Sequence, residues 1–248
     1  MNLDFPDRSD SIRRNHRPEK PCRKSNVELA LKHQKFYQHP DRQAIYQLAE
    51  NLGIKSDVLK QFAVGYTGYA YSFPMFDEDN CLIGIRIRFA DGRKRAIEGS
   101  QNGLFVPVRK FNTKCPVFIT EGESDCMALY QMGFQVIGRP GNLQCKQMTG
   151  QWMKNMGFSE AIIIADNDEA GEKGAKDLAD YLVFETGFAV KVIRPDKQYK
   201  DFREWFLNGV LREDIFEAIE NADYVSPVRV KTLMNKIIIE LGGKYEKR

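Results

Sequence analysis

Two short acidic motifs carry residue types and spacings that could do chemistry. Glu121 and Asp125 lie four apart in EGESD, and Asp166 and Asp168 lie two apart in ADNDEAG. Carboxylates are hard-oxygen donors suited to Mg2+ or Mn2+. Mg2+ keeps several waters and takes one or two carboxylates together with substrate phosphate oxygens. An Asp-x-Asp pair at a strand end can turn both carboxylates the same way, because side chains alternate with period two. A separate Glu can then act as general acid or base, or join the metal shell. The plainer alternative makes each motif a helix N-cap followed by a polar loop, since acidic N-caps are common. Both motifs at strand ends of one α/β unit favour a site over two unrelated caps.

The surrounding pattern supports that placement. From residue 115 onward, apolar strands at 116–120, 134–138, 161–166 and 189–195 alternate with helical patterns near 124–132, 147–156 and 169–186. Strands separated by helices predict a parallel sheet covered on both faces. Such sheets bind ligands beyond the carboxyl ends of their strands. Glu121 ends the first strand, and Asp166 and Asp168 end the third. If the two strands are neighbours, the three carboxylates share one crevice. A helix starting near Ser124 would let Asp125 lean over the same strand ends. Gly122 and Gly171 would permit tight turns from strand to helix.

Upstream, residues 26–63 read as helices, with Ser56 and Asp57 suited to an N-cap. Residues 70–106 read as short strands, with a hairpin turning at Asp77–Asn80. In GIRIRF, Ile85, Ile87 and Phe89 alternate with Arg86 and Arg88, which predicts both arginines on one solvent-facing side. Asp91-Gly92 forms a second turn, followed by Arg93, Lys94 and Arg95. Trp152 and Trp205 are expected in the core or between subdomains. Tyr66, Tyr69 and Tyr71 are expected to pack, with base stacking as the alternative. A helix around 231–241 could dock on the body or on a partner.

The 248 residues have a formal net charge of +3, which conceals a cancellation. Residues 1–24 sum to +3, residues 81–114 to +6, and residues 117–190 to −6. A basic stretch beside an acidic one suits a metal-dependent enzyme that acts on polyanions. An apolar fraction of 42% is too high for a disordered chain. No apolar run approaches the ~20 residues that span a bilayer, and the N-terminus lacks the hydrophobic stretch of a secretory signal. The five cysteines form no CxxC pair, and all three histidines precede residue 40. Zinc and a disulfide framework are therefore not expected, and the cysteines read as core thiols. No GxSxG, GKS or GKT loop is present. A soluble cytoplasmic protein follows as the expectation.

VFITEGESDCMAL, followed about 45 residues later by AIIIADNDEAG, resembles the Toprim domain shared by bacterial-type primases, topoisomerases and some nucleases. The EG-x-x-D form is more similar to primases. SFPMFDEDNCLIGIRIRFADGRKRAIEGSQNGLF resembles the basic subdomain that precedes Toprim in the primase halves of tailed-phage primase–helicases. YKDFREWFLNG is similar to that family's "KD…LNG" element. The likeness runs from about residue 53 to about 225.

That resemblance implies a fold: a Rossmann-like parallel sheet with helices on both faces, preceded by a small α+β basic subdomain. It implies Glu121 as the catalytic or metal-shell glutamate and Asp166 and Asp168 as the metal pair, with Asp125 and Asp201 as supporting metal-site acids. Arg86, Arg88, Arg93, Lys94 and Lys200 would handle nucleotide and nucleic-acid phosphates. The boundaries read as a basic tail (1–24), a basic subdomain (25–113), the Toprim domain (114–210) and a C-terminal helical tail (211–248). The implied activity is a DNA primase core making short RNA primers on single-stranded DNA from nucleoside triphosphates, with Mg2+ or Mn2+. Without zinc-binding or helicase modules, such a core would work with a separate replicative helicase and a zinc-module protein, in a phage or mobile element. A Toprim nuclease and a non-catalytic nucleic-acid-binding accessory protein are the alternatives.

Overall fold

The computed structural model describes residues 27–225. The tail at 1–24 and the helix around 231–241 lie outside the described residues. Three helices come first: α1 (Val27–Tyr37), α2 (Arg42–Leu52) and α3 (Ser56–Gln61). The last does not start as the sequence suggested. Its N-cap is Lys55, whose N–H donates to Gln131 Oε1 at 2.5 Å. Ser56 and Asp57 lie inside the first turn, where Asp57 pairs with Lys60.

An antiparallel sheet follows in the order β1 (Gly65–Tyr66), β2 (Tyr71–Phe76), β3 (Leu82–Arg88), β4 (Lys94–Ala96). The β2–β3 hairpin turns where expected, because Asp77 Oδ1 accepts the N–H groups of Asp79 and Cys81 and holds the turn closed. Ile85 and Ile87 are buried, as their alternation predicts. Arg86 and Arg88 are not on a free surface. They are half-buried because their face of the sheet abuts the second unit, where Arg86 donates to the Pro140 carbonyl at 2.6 Å.

The second unit holds β5 (Val117–Glu121), α4 (Gly122–Gln131), β6 (Val136–Arg139), α5 (Lys146–Met156), β7 (Glu160–Ile164), α6 (Glu169–Thr186) and β8 (Ala189–Ile193). All its strands are parallel, in the order β6-β5-β7-β8. Burial on both faces explains their unbroken apolar runs. Val117, Ile119, Ala161 and Ile163 face one core with Trp152, Met153 and Leu178. Phe118, Ile162 and Ile164 face the other with Cys126, Met127 and Leu129. Helices α7 (Phe202–Leu207) and α8 (Arg212–Asn221) close that second face through Phe202, Trp205 and Ile215. Residues 211–221, expected as the start of a tail, are therefore docked on the parallel-sheet unit, with Phe216 against Phe134.

The two units share their cores. Leu104 bridges to Phe76 of the first sheet, and the next residue, Phe105, bridges to Gly138 of the second. The hairpin turn also reaches across, where the buried Trp152 indole donates to Asn80 Oδ1 at 2.9 Å. Both tryptophans pack as expected. Tyr71 is buried and Tyr66 packs between His39 and Tyr71, whereas Tyr69 is exposed. Cys115, Cys126 and Cys145 are free, but only Cys126 is a buried thiol. Cys81 is disulfide-bonded, which departs from the expectation of unpaired thiols. Among the described residues, no helix is long and apolar enough to cross a membrane. Asn80→Ala leaves the Trp152 N–H buried without its acceptor. Denaturant unfolding should show a loss of about 1–3 kcal/mol; an unchanged midpoint would mean the indole contact does not help join the units.

Candidate active site

β5 and β7 are hydrogen-bonded neighbours. Glu121 is the last residue of β5 and stands just outside α4, while Asp166 and Asp168 follow β7. The carboxyl ends of the two central strands therefore bring both motifs to one crevice. Gly122 takes φ +79, a left-handed conformation that lets the chain leave the strand and enter the helix at once. Gly171 serves differently. Its φ is ordinary, but a Cβ there would lie 2.7 Å from the Asp166 Cβ and 2.8 Å from the Asp166 carbonyl oxygen. Its bare backbone lets α6 press against Asp166, so the requirement is for space rather than for a turn.

The acids differ in setting. Asp168 is exposed and N-caps α6, accepting the Gly171 N–H at 2.7 Å. Asp201 N-caps α7, accepting the Glu204 N–H at 2.8 Å. Asp125 is buried in the first turn of α4 and accepts the Arg203 N–H at 2.9 Å. The capping alternative is thus partly realised, because these acids hold helix starts while also crowding one another. Burial pushes the Asp166 carboxyl up to about 7, helped by Glu121, Asp201 and Asp168 and opposed by Lys200. Burial, then Asp201 and Asp166, push Asp125 well above the usual range. Glu121 is raised by burial, with Asp168 adding to the rise and Arg139 and Lys94 opposing it.

Three residues outside the predicted set organise the site. Arg139 is the register partner of Glu121 on β6. It is buried and donates to the carbonyls of Asn142 at 2.8 Å and Gln144 at 3.4 Å, pinning the following loop beside Glu121. Asn167 lies between the two aspartates. Its amide donates to the carbonyls of Pro195, Asp196 and Tyr199, and its N–H to that of Lys200. These bonds draw the 195–200 loop over β7 and carry Asp201 to Asp166. Glu123 is buried and pairs with Lys94 at 2.7 Å and Arg88 at 3.4 Å. The middle residue of an Asp-Asn-Asp triplet and a second acid in EGESD were the available signals for the last two. Of the predicted cations, Arg93 is exposed and pairs with Asp91. Lys200 is exposed, and its N–H donates to Glu204 Oε2.

The crevice suits a divalent cation by the chemistry of its donors. Several desolvated carboxylates raise one another's pKa, and a bound cation would relieve that repulsion. Among the described residues, no group of three or more His, Cys, Asp or Glu is arranged so that it could hold a metal ion.

Residues 118–206 match the family model described as Toprim-like, and the four-stranded parallel sheet, with Glu closing a central strand and Asp-x-Asp after its neighbour, has the arrangement that the sequence resemblance implied. The whole described chain has the fold of a primase catalytic core. It superposes on the E. coli primase catalytic core with a TM-score of 0.60 at 17% identity, covering 84% of this chain and 82% of that one. Against the primase fragment of the Bacteriophage T7 primase-helicase the values are 0.55 and 20%, covering 68% and 72%. The zinc-binding and RNA polymerase domains of the Aquifex aeolicus primase give 0.66 and 15%, covering 95% and 67%. An uncharacterized protein of Mycoplasma genitalium is 29% identical over 143 residues, which are 55% of this chain and 65% of that protein. The match thus spans just under two thirds of that relative's length.

A carboxyl whose folded-state pKa is raised destabilises the fold when ionised. The contribution of Asp166 is fully favourable below its ordinary value of 3.8 and is lost as pH rises towards about 7. Asp166→Asn should therefore raise the metal-free melting temperature at pH 8, by roughly 2–4 °C for each kcal/mol of repulsion relieved. The gain should shrink by pH 5, and Mg2+ binding should weaken. Calorimetry at the two pH values, with and without Mg2+, checks this; a variant no more stable than wild type at pH 8 would contradict it.

Proposed function

We propose that this protein is a DNA primase core that makes short RNA primers on single-stranded DNA. The observation that carries the reading is the pairing of a cationic sheet with a carboxylate crevice in one rigidly stitched fold. Arg86, Arg88 and Lys94 lie on the sheet face that meets the Toprim-like unit. Guanidinium and ammonium groups neutralise phosphates largely without regard to base sequence. A nuclease that activates water at the same acids would not need such a sheet.

Asp166 and Asp168 would hold Mg2+ or Mn2+, with Asp201 and Asp125 supporting them. Asp125 is buried and bonded to the Arg203 N–H, so it acts by holding α7 and its neighbours in place. The ion supplies Lewis acidity and offsets phosphate charge. The 3′-hydroxyl oxygen of the growing primer forms a bond to the α-phosphorus of the nucleoside triphosphate, and the bond to the β-phosphate oxygen breaks to release pyrophosphate. Glu121, whose carboxyl burial raises above its ordinary value, would take the hydroxyl proton. Arg86, Arg88, Arg93, Lys94 and Lys200 would bind template and triphosphate. Residues 25–113 would serve as the basic subdomain and 114–210 as the catalytic domain, in a cytoplasmic replication apparatus of a phage or mobile element. Partners would be a separate helicase and a zinc-module protein.

Glu121→Gln and Asp168→Asn should each reduce primer synthesis by at least 100-fold while keeping the far-ultraviolet circular dichroism of the parent. Asn at 168 keeps an N-cap, so loss of activity there is separable from loss of the α6 cap, which in Asp168→Ala would add about 1 kcal/mol of destabilisation. The assay supplies single-stranded DNA, labelled nucleotides and Mg2+ or Mn2+, and scores extension and cleavage together. Cleavage without nucleotides would replace this reading with the nuclease one. Wild-type extension by either variant would remove that residue from the site.

A further inference from the structure

Arg88 on β3 and Lys94 on β4 are register partners across an antiparallel pair. Their side chains leave the same face of the sheet at the closest cross-strand spacing. Like charges directly opposite one another destabilise such a pair. Glu123 resolves the conflict from the other unit. Its Oε1 lies 2.7 Å from Lys94 Nζ and 3.4 Å from Arg88 Nη1. The three side chains differ sharply in access: 1% exposed for Glu123, 17% for Arg88 and 33% for Lys94. The acid is locked in the packing at the start of α4, while the cations reach solvent. The trio keeps a net charge of +1. Among the described residues, most of its donors have no further partner, since Arg carries five N–H groups and Lys three.

We propose that Glu123 is a positioning residue that holds Arg88 and Lys94 side by side at the rim of the carboxylate crevice, as a fork for one phosphate group. The proposal rests on the primase reading for its ligand, which is a phosphate of the incoming nucleoside triphosphate or of the template backbone. A carboxylate in this place has two effects that a neutral side chain lacks. It removes the repulsion between the cations and fixes both relative to Glu121, two residues earlier in the chain at the end of β5. A plain inter-unit latch would need the ion pair but would be indifferent to which unit carried which sign.

The test compares wild type, Glu123→Gln, and the double variant Glu123→Lys with Lys94→Glu, which keeps a Lys–Glu pair with its signs exchanged. Binding is read by fluorescence anisotropy with a labelled oligo-dT strand and, separately, with a fluorescent nucleoside triphosphate in Mg2+. Thermal melting is read in parallel. Glu123→Gln should weaken at least one of the two ligands about 10-fold. The exchanged pair should melt closer to wild type than either of its single variants, yet stay about 10-fold weak for the same ligand. The affected arm identifies which phosphate the fork holds; for DNA, the slope of log affinity against log salt should also fall by about 0.7 in the exchanged variant. Affinities within 2-fold of wild type in both arms for Glu123→Gln, or recovery of them by the exchanged pair, would leave Glu123 as a latch and overturn the proposal. A wild-type protein that binds neither ligand would overturn it too. A wild-type protein that binds as expected but extends no primer would instead defeat the primase reading and leave the fork standing.

Discussion

Carboxylates gathered out of water repel one another, and the architecture around β5 and β7 is arranged to bear that repulsion. Burial and three neighbouring acids take Asp166 to about 7. The groups that oppose them are placed with equal care. Arg139 sits across the β5–β6 register from Glu121, Lys200 opposes the rise at Asp166, and main-chain N–H groups satisfy oxygens of Asp125, Asp168 and Asp201. The acids hold because helix starts and loop amides bind part of each one while leaving the cluster short of positive charge. A bound cation would relieve that repulsion, which is what the proposed priming chemistry asks of the site.

Such a cluster needs a stiff frame, since repelling groups open any joint that can yield. Both faces of the parallel sheet are buried, and α4 is apolar for four successive residues because it lies between the sheet and α7. The antiparallel sheet is joined to this frame through Leu104 and Phe105, whose consecutive bridges to Phe76 and Gly138 make one continuous backbone network. The cationic face of β3 and β4 is thereby held over the acidic strand ends. Charge complementarity at close range, with Glu123 between Arg88 and Lys94, follows from that rigid docking.

The elements of the second unit were legible because their periodicity is strong. Apolar runs at 161–164 and 189–193 have one reading when helices flank them and a polar residue ends them. The helix start at Lys55 was not legible. Ser56 has the chemistry of a cap, but Gln131, 76 residues away, supplies the bond that settles the register. The arginines of GIRIRF failed in an instructive way. Alternation correctly separated them from Ile85 and Ile87, yet it could not tell solvent from a second protein surface.

The sequence by itself determined the order of strands and helices, the placement of Glu121 and the Asp166–Asp168 pair at strand ends, and the separation of basic and acidic stretches. Each is a matter of local spacing and composition, which the linear chain already contains. Only the tertiary structure decided that β5 and β7 are neighbours, that Asn167 draws the loop before Asp201 across the crevice, and that Arg139 and Glu123 stand among the site residues. These depend on contacts between residues far apart in the chain. A hydrogen bond or ion pair of that kind leaves no periodic trace, because its geometry is set by how whole elements pack.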